Sequence, residues 1–555
     1  MSLATPALVT QRAAERLPRL ALLLFCAAYL LPGLIGRDPW RNADLTTYAT
    51  MLAMAEGRTS WLNPMLGGIP ADVAVLPHAL GAWAIQALSP WLDPALAARL
   101  PFVLLLAGTL ALVWYATFHL ARTEAAQPVA FAFGGEAAPL DYARALADGA
   151  LLATIASLGL LQLGHETTPE LAQLCGVALW LWALAAAPYR EGRSRAVALL
   201  SLPALASSGA PAMAVALGAV ALMICARSAY PQVHRLTLWW LASTALAALA
   251  AWGLGAWHWR VRAPDSSNDV LDIIKLLLWF PWPLWPMALW TLWQWRRQWL
   301  RRHISIPLGA FAVGLMGCLV MGGSDRALML ALPGLAVLAA FALPTLRRSA
   351  GALIDWFSVF FFSIAALAVW VIYSSMHLGV PAKPLANILR LAPGFVPSFS
   401  ALALGAALLG TVAWFWLVHW RTSRHRHPLW KSLVLPASGV ALTWLLTMTL
   451  WLPVLDYARS PQPWVQAIAK TVPSGQCVRA AGLSRPQVAA LEAMGGYTVH
   501  SAADAQSAMA ACPWWLLNLR TDQAAPQVPG WTLQGEARRP TDRQEKLLIF
   551  RQSQP

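Results

Sequence analysis

Charge is scarce in this 555-residue sequence: Asp, Glu, Lys and Arg supply 12% of it and hydrophobic residues 58%. That is roughly half the charged share of an ordinary soluble domain. A water-facing globule cannot hide so much apolar surface, so a soluble enzyme is excluded and a polytopic membrane protein is expected. Acids are the rarer sign, 25 against 40 basic residues, for a net charge of +15. The basic residues sit in short clusters between apolar runs. That is the pattern of membrane topology, so the lipid bilayer is the expected partner and nucleic acid is not. Six cysteines are scattered with no CxxC and no Cys/His array, so neither a metal framework nor a cofactor is readable. Cys26, Cys175, Cys225 and Cys318 lie in apolar runs as packing residues, whereas Cys477 and Cys512 lie in a polar tail and are able to pair in an oxidising compartment. No P-loop, GxGxxG, GxSxG or HExxH occurs, which removes support for nucleotide-driven transport and the common hydrolase mechanisms. Asn-x-Ser/Thr is also missing, and the apolar run at 20–35 is followed by no small-x-small cleavage site, so it reads as a retained span.

What is present is a series of apolar runs. Thirteen are read as spans: 17–36, 98–120, 145–163, 170–188, 196–208, 211–227, 235–255, 273–295, 304–321, 327–344, 351–374, 398–420 and 432–453. With the N-terminus in the cytoplasm, twenty Lys and Arg fall in cytoplasmic segments and eight in the opposite loops, which favours that orientation. An odd number of spans then puts residues 454–555 outside. The division is a membrane domain over 1–453, with a long first external loop at 37–97, and a soluble extracytoplasmic domain over 454–555. In that loop, Leu45, Tyr48, Met51, Leu52 and Ala55 recur at helical spacing over 43–56, and Gly57 ends the run. A second short helix starts at Pro77. Both are too short to span and read as helices lying in the interface. In the tail, "WVQAIAKTV" and "RPQVAALEAM" read as helices and "KLLIFRQ" as a strand, hence a small α/β domain.

The residues able to carry chemistry gather in the external loops: Asp38, Asp44, Glu56, Asp72, His78 and Asp93, then His165, Glu166 and Glu170 in "GHETTPE", then "WHWRVR" and "GGSDR". Asp44 heads the first interfacial helix. It reads either as a first-turn acid satisfying free N–H groups or as a general base at the membrane surface. Arg326 heads a span, as a snorkelling anchor or as a clamp on a lipid phosphate. Arg58, His258 and Arg260 are further phosphate-binding candidates, and Asp72 and Glu166 are further catalytic acids. Glu170 competes with Glu166 for that part.

The layout resembles the GT-C fold glycosyltransferases, and within them the group of lipid A aminoarabinose transferases and bacterial protein O-mannosyltransferase-like enzymes. The resemblance rests on one span, a long external loop headed by an Asp-bearing helix, about twelve more spans and an external tail. "DLTTYA" and "EGRTSWLNPMLGGIP" resemble the family's first-loop pattern, and "SDRALMLALPGLAVL" resembles its later Ser-Lys-Arg segment. Leu45 and Thr47 stand where the family keeps a second acid and an Arg, and "ADVAVLP" replaces a Glu-Lys-Pro segment. The resemblance implies an all-α membrane protein of about thirteen helices with a small extracytoplasmic α/β domain. It also implies an enzyme of the bacterial inner membrane that moves a sugar from a polyprenyl-phosphate donor to a glycolipid or protein acceptor. Asp44 would be the base, and Arg and His side chains would hold the departing phosphate. Two other functions are compatible with the layout, a polyprenyl-linked glycan flippase and a catalytically inactive relative.

Overall fold

The computed structural model describes residues 5–40, 42–257, 261–263, 266–422, 428–501 and 512–553. It is mostly helical, and the chain is a membrane protein. Among the described residues, seven helices are long and apolar enough to cross a bilayer: Pro94–Ala121, Pro169–Ala186, Pro231–Gly253, Arg302–Val320, Ser349–Leu378, Ala401–Arg421 and Leu429–Leu450. At 1.5 Å per residue, about 20 residues cover the ~30 Å hydrocarbon layer. An eighth span is counted if Ser267–Trp279 and Leu284–Gln294 form one; they meet at a 78° bend. The bend falls where Pro281 and Pro283 remove helix donors. Others of the thirteen runs read as spans hold shorter apolar helices, such as Arg19–Leu30 and Pro211–Arg227.

By contacts the chain forms two compact units. The first comprises Met1–Pro32, Phe102–Leu367 and Gly405–Leu446. Within it Pro169–Ala186 and Leu429–Leu450 are largely enclosed by other helices, whereas Ala401–Arg421 is mostly exposed. Leu402, Leu409, Val412, Phe415 and Trp416 stand bare on that helix, the apolar face expected toward lipid. Asp355 and Arg421, on two of these spans, form an ion pair at 2.5 Å.

The second unit comprises Gly33–Pro101, Ala368–Leu404 and Thr447–Pro555. Its tail folds as read from the sequence, with helices Gln462–Ala469 and Arg485–Gly495 and a strand Glu545–Gln552. Five strands form one mixed sheet in the order Thr498–His500, Cys477–Ala481, Trp514–Arg520, Glu545–Gln552, Trp531–Ala537. The first three are parallel and the last two pair antiparallel. Cys477 and Cys512 are joined as a disulfide, with Cα atoms 5.0 Å apart.

The helix read over 43–56 is present as Ala43–Ala55 and the second as Val75–Leu88. The first is not left with an open apolar face. Leu45, Ala49 and Ala53 enter one hydrophobic core with Trp464, Val465, Ile468, Val478, Leu491, Leu516 and Ile549 of the tail. Between the two loop helices, "MLGGIP" makes a two-residue hairpin, Met65–Leu66 against Ile69–Pro70. Gly67 and Gly68 both have positive φ, the conformation such a turn needs. The hairpin is fastened to the tail: Gly67 N–H donates to Glu492 Oε1 at 2.9 Å and Ser501 Oγ donates to Gly67 O at 2.7 Å.

Candidate functional site

Asp44 stands in the first turn of helix Ala43–Ala55, preceded by Asn42, a non-glycine residue at φ 73°. Its carboxylate is 2% exposed. Oδ2 accepts the backbone N–H of Trp40 at 3.1 Å, and Arg37 Nη2 lies 3.7 Å from the same oxygen. The Arg37 side chain is fully buried. It lies over the Trp40 ring at 4.9 Å, and Arg459 lies over the same ring at 4.8 Å. Trp40 Nε1 donates to Asp456 Oδ1 at 3.0 Å, an oxygen that also accepts Asp38 N–H at 3.0 Å. Ser460 Oγ donates to Asp38 Oδ2 at 2.7 Å. Burial first, and the nearby Asp38 second, lift the Asp456 carboxyl above the ordinary carboxylate range. Arg99, also buried, donates to Leu34 O at 3.3 Å.

"GRDPWRNAD" is therefore more than a cap. A charge costs several kcal/mol to bury without counter-charges and hydrogen bonds, and here the buried Arg37 and Asp44 lie 3.7 Å apart in one short stretch. Sequence reasoning missed Asp456 and Arg99. Arg99 left one readable trace, an ionisable residue at the head of an apolar run; Asp456 left none.

The other candidates in this unit take separate places. Asp72 pairs with Arg485 at 3.1 Å on the surface, and Arg485 also donates to Pro70 O at 3.0 Å. Arg58 reaches Glu56 at 2.6 Å and Glu492 at 3.8 Å. His78 is buried, and burial pushes its imidazole down to about 4.

In the first unit, Arg326 and the acids of "GHETTPE" meet although they lie far apart in sequence. Arg326 Nη2 donates to Glu166 Oε2 at 2.5 Å, and Nη1 to Thr168 Oγ1 at 3.1 Å and Glu170 Oε2 at 3.3 Å. Local structure sets this up. Ser324 caps the short helix that holds Arg326, accepting Ala327 N–H at 3.3 Å. Thr168 and Pro169 start the helix that holds Glu170. Burial disfavours the guanidinium charge, and the Glu170 and Glu166 carboxylates outweigh it, so Arg326 is held above its ordinary range. Both glutamates contact the Arg. Beside them the His165 ring is held between the carbonyl oxygens of Leu161 and Tyr29, each at 2.8 Å, and against Trp444 at 4.5 Å. His258 and Arg260 lie outside the described residues.

One Cys/His group among the described residues brings ligand atoms within 4.8 Å of one another: Cys477, His500 and Cys512. The disulfide between the two cysteines consumes the thiolates that a metal would require.

No family model matches the sequence, and no curated protein matches it. Solved structures do. The chain is similar to ArnT from Cupriavidus metallidurans bound to undecaprenyl phosphate, at 13% identity and TM-score 0.60 over 96% of both chains. It is similar to the apo state of ArnT from the same organism at 14% identity and TM-score 0.59, again over 96% of both. The arabinosyltransferase EmbB from Mycobacterium smegmatis matches at 13% identity and TM-score 0.40, over 93% of this chain and 46% of that one. The helical membrane part and the small C-terminal sheet follow the ArnT architecture along nearly the whole chain, and the fold of this protein is the GT-C fold.

Proposed function

We propose that the protein is an inner-membrane glycosyltransferase that moves a sugar from a polyprenyl-phosphate donor to an extracytoplasmic glycolipid or protein. The observation that carries this reading is the buried carboxylate of Asp44 at the head of a first-loop helix, in a chain with the fold of ArnT. Residues 1–453 form the membrane part, with a cytoplasmic N-terminus, and 454–555 the extracytoplasmic part. The acceptor O–H or N–H gives its proton to Asp44, and the freed electron pair forms the new bond to the anomeric carbon. The bond from that carbon to the phosphate oxygen breaks, and the lipid phosphate leaves with its electrons. Attack opposite the leaving group inverts the centre.

Arg326, Arg58, His258 and Arg260 are the candidates to hold the leaving phosphate, and Asp72 and Glu166 the accessory acids. Arg326 and Arg58 are each bonded to carboxylates, so a phosphate would compete with the longer contacts, to Glu170 at 3.3 Å and to Glu492 at 3.8 Å. The test compares envelope glycolipids and proteins by mass spectrometry with and without the gene, and with Asp44→Asn. A mass difference lost in the null strain and in Asp44→Asn supports the proposal. Transfer near the parent level in Asp44→Asn removes Asp44 from the mechanism, and no difference in the null strain removes the proposal.

A further inference from the structure

The second unit holds a cavity of about 160 Å³ between the first turn of helix Ala43–Ala55 and the tail sheet. Its apolar lining includes Leu45 and Trp464, both buried. Its polar lining includes Gln487, Asn518, Asp542 and Glu545. These groups are already organised. Glu545 Oε2 accepts Gln487 Nε2 and Asn518 Nδ2, both at 3.0 Å. Gln487 Oε1 in turn accepts the backbone N–H of Ser484 at 2.7 Å and its hydroxyl at 2.9 Å. Planar amides fixed on a carboxylate keep N–H donors and lone pairs aimed in set directions, the complement of adjacent hydroxyls that donate and accept. An apolar lining with an aromatic suits the C–H face of a sugar ring.

The charges argue against an anion. Arg539 also lines the cavity, with its Nη2 on the carbonyl oxygens of Ala458, Arg459 and Ser460 at 3.4, 2.9 and 3.3 Å, and its one positive charge is outnumbered by two carboxylates. Asp542 and Glu545 leave the walls acidic, which disfavours a phosphate. Position adds to the chemistry: Asn42 and Leu45, two lining residues, lie within two positions of Asp44 in the sequence.

From this geometry we infer that the cavity is a saccharide-binding site which holds an uncharged sugar ring of the acceptor. That the sugar belongs to an acceptor rests on the proposed transferase reading; that the cavity binds a sugar does not. The test uses the full-length Asp44→Asn protein in nanodiscs, so that no turnover interferes. Saturation-transfer NMR is run with glucose, galactose, mannose, N-acetylglucosamine and inorganic phosphate as separate probes. At least one sugar binds, and Asn518→Ala and Glu545→Gln each weaken it by roughly tenfold, the effect of losing a hydrogen bond in a charged array. Thermal unfolding of the variants confirms that they fold, and Gln487→Ala is the reserve should either not. In the parent enzyme the same changes raise KM for the acceptor and leave KM for the donor unchanged. If no sugar binds, if binding ignores the folded variants, or if phosphate alone binds in their place, the inference is wrong. Sugar binding that depends on these residues without any transferase activity would keep the site and remove the transferase reading instead.

Discussion

Replacing Asp44 with Asn tests two ideas at once, and they must be separated. The Asp44 carboxylate and the fully buried Arg37 guanidinium are 3.7 Å apart. At an effective dielectric constant of about 20, that separation corresponds to on the order of 4 kcal/mol of attraction. Breaking one side of a buried pair typically costs about 3–5 kcal/mol, because the other charge stays buried and under-compensated. Asn keeps an oxygen to accept the Trp40 N–H, so the loss is electrostatic and not one of shape. Asp44→Asn is therefore expected to lower stability by about 3 kcal/mol as well as to abolish transfer. The control is Arg37→Met combined with Asp44→Asn, which removes both charges. Unfolding of the purified protein, followed through its 31 tryptophans, should show the double variant recovering most of the lost stability. Transfer from a polyprenyl-phosphate sugar should stay absent in both. Recovery of stability and transfer together would refute the base assignment and leave Asp44 a structural counter-ion. Parent-like stability in Asp44→Asn alone would refute the electrostatic argument.

Three further outcomes are expected. At Gly67 a Cβ would lie 2.6 Å from Val488 Cγ1, at φ +56°, so Gly67→Ala should cost about 2–4 kcal/mol and speed proteolysis of the tail. His78 titrates lower folded than unfolded, so its contribution is complete above about 6.5 and is lost as pH falls toward about 4. The parent unfolding temperature should drop across that window and that of His78→Leu should not. The Cys477–Cys512 link closes a separation of 35 residues, worth about 4 kcal/mol in chain entropy, so a phosphine reductant should lower the unfolding temperature and have no effect on a Cys477→Ser, Cys512→Ser variant.

Local signals carried much of the fold. Hydropathy located the long spans, and periodicity placed the helix at 43–56 and both tail helices. The Gly-Gly pair in "MLGGIP" is a turn because both residues need positive φ. Hydropathy did not show that some apolar runs, such as Arg19–Leu30 and Pro211–Arg227, fold as helices of fewer than 18 residues, since composition alone does not set helix length. Pairings across the chain were not legible. Nothing in "SDRALM" shows that Arg326 meets Glu166 and Glu170, and nothing in "DLTTYATMLAMA" shows that Leu45, Ala49 and Ala53 serve the tail core. Such contacts have no period; they follow from topology. The same limit hid Asp456 and the buried Arg37 beside Asp44.

The shared core of loop and tail also sets an order in time. About 345 residues lie between Pro101 and Thr447. At about 5–20 residues per second, synthesis takes roughly 20–70 s to reach the segment that covers Leu45, Ala49 and Ala53. During that interval a half-built core waits with its greasy side uncovered. The newborn chain therefore has a period of exposure to proteases and to mispairing that its finished form does not have. Chains cut short before the tail would leave this loop uncovered for good.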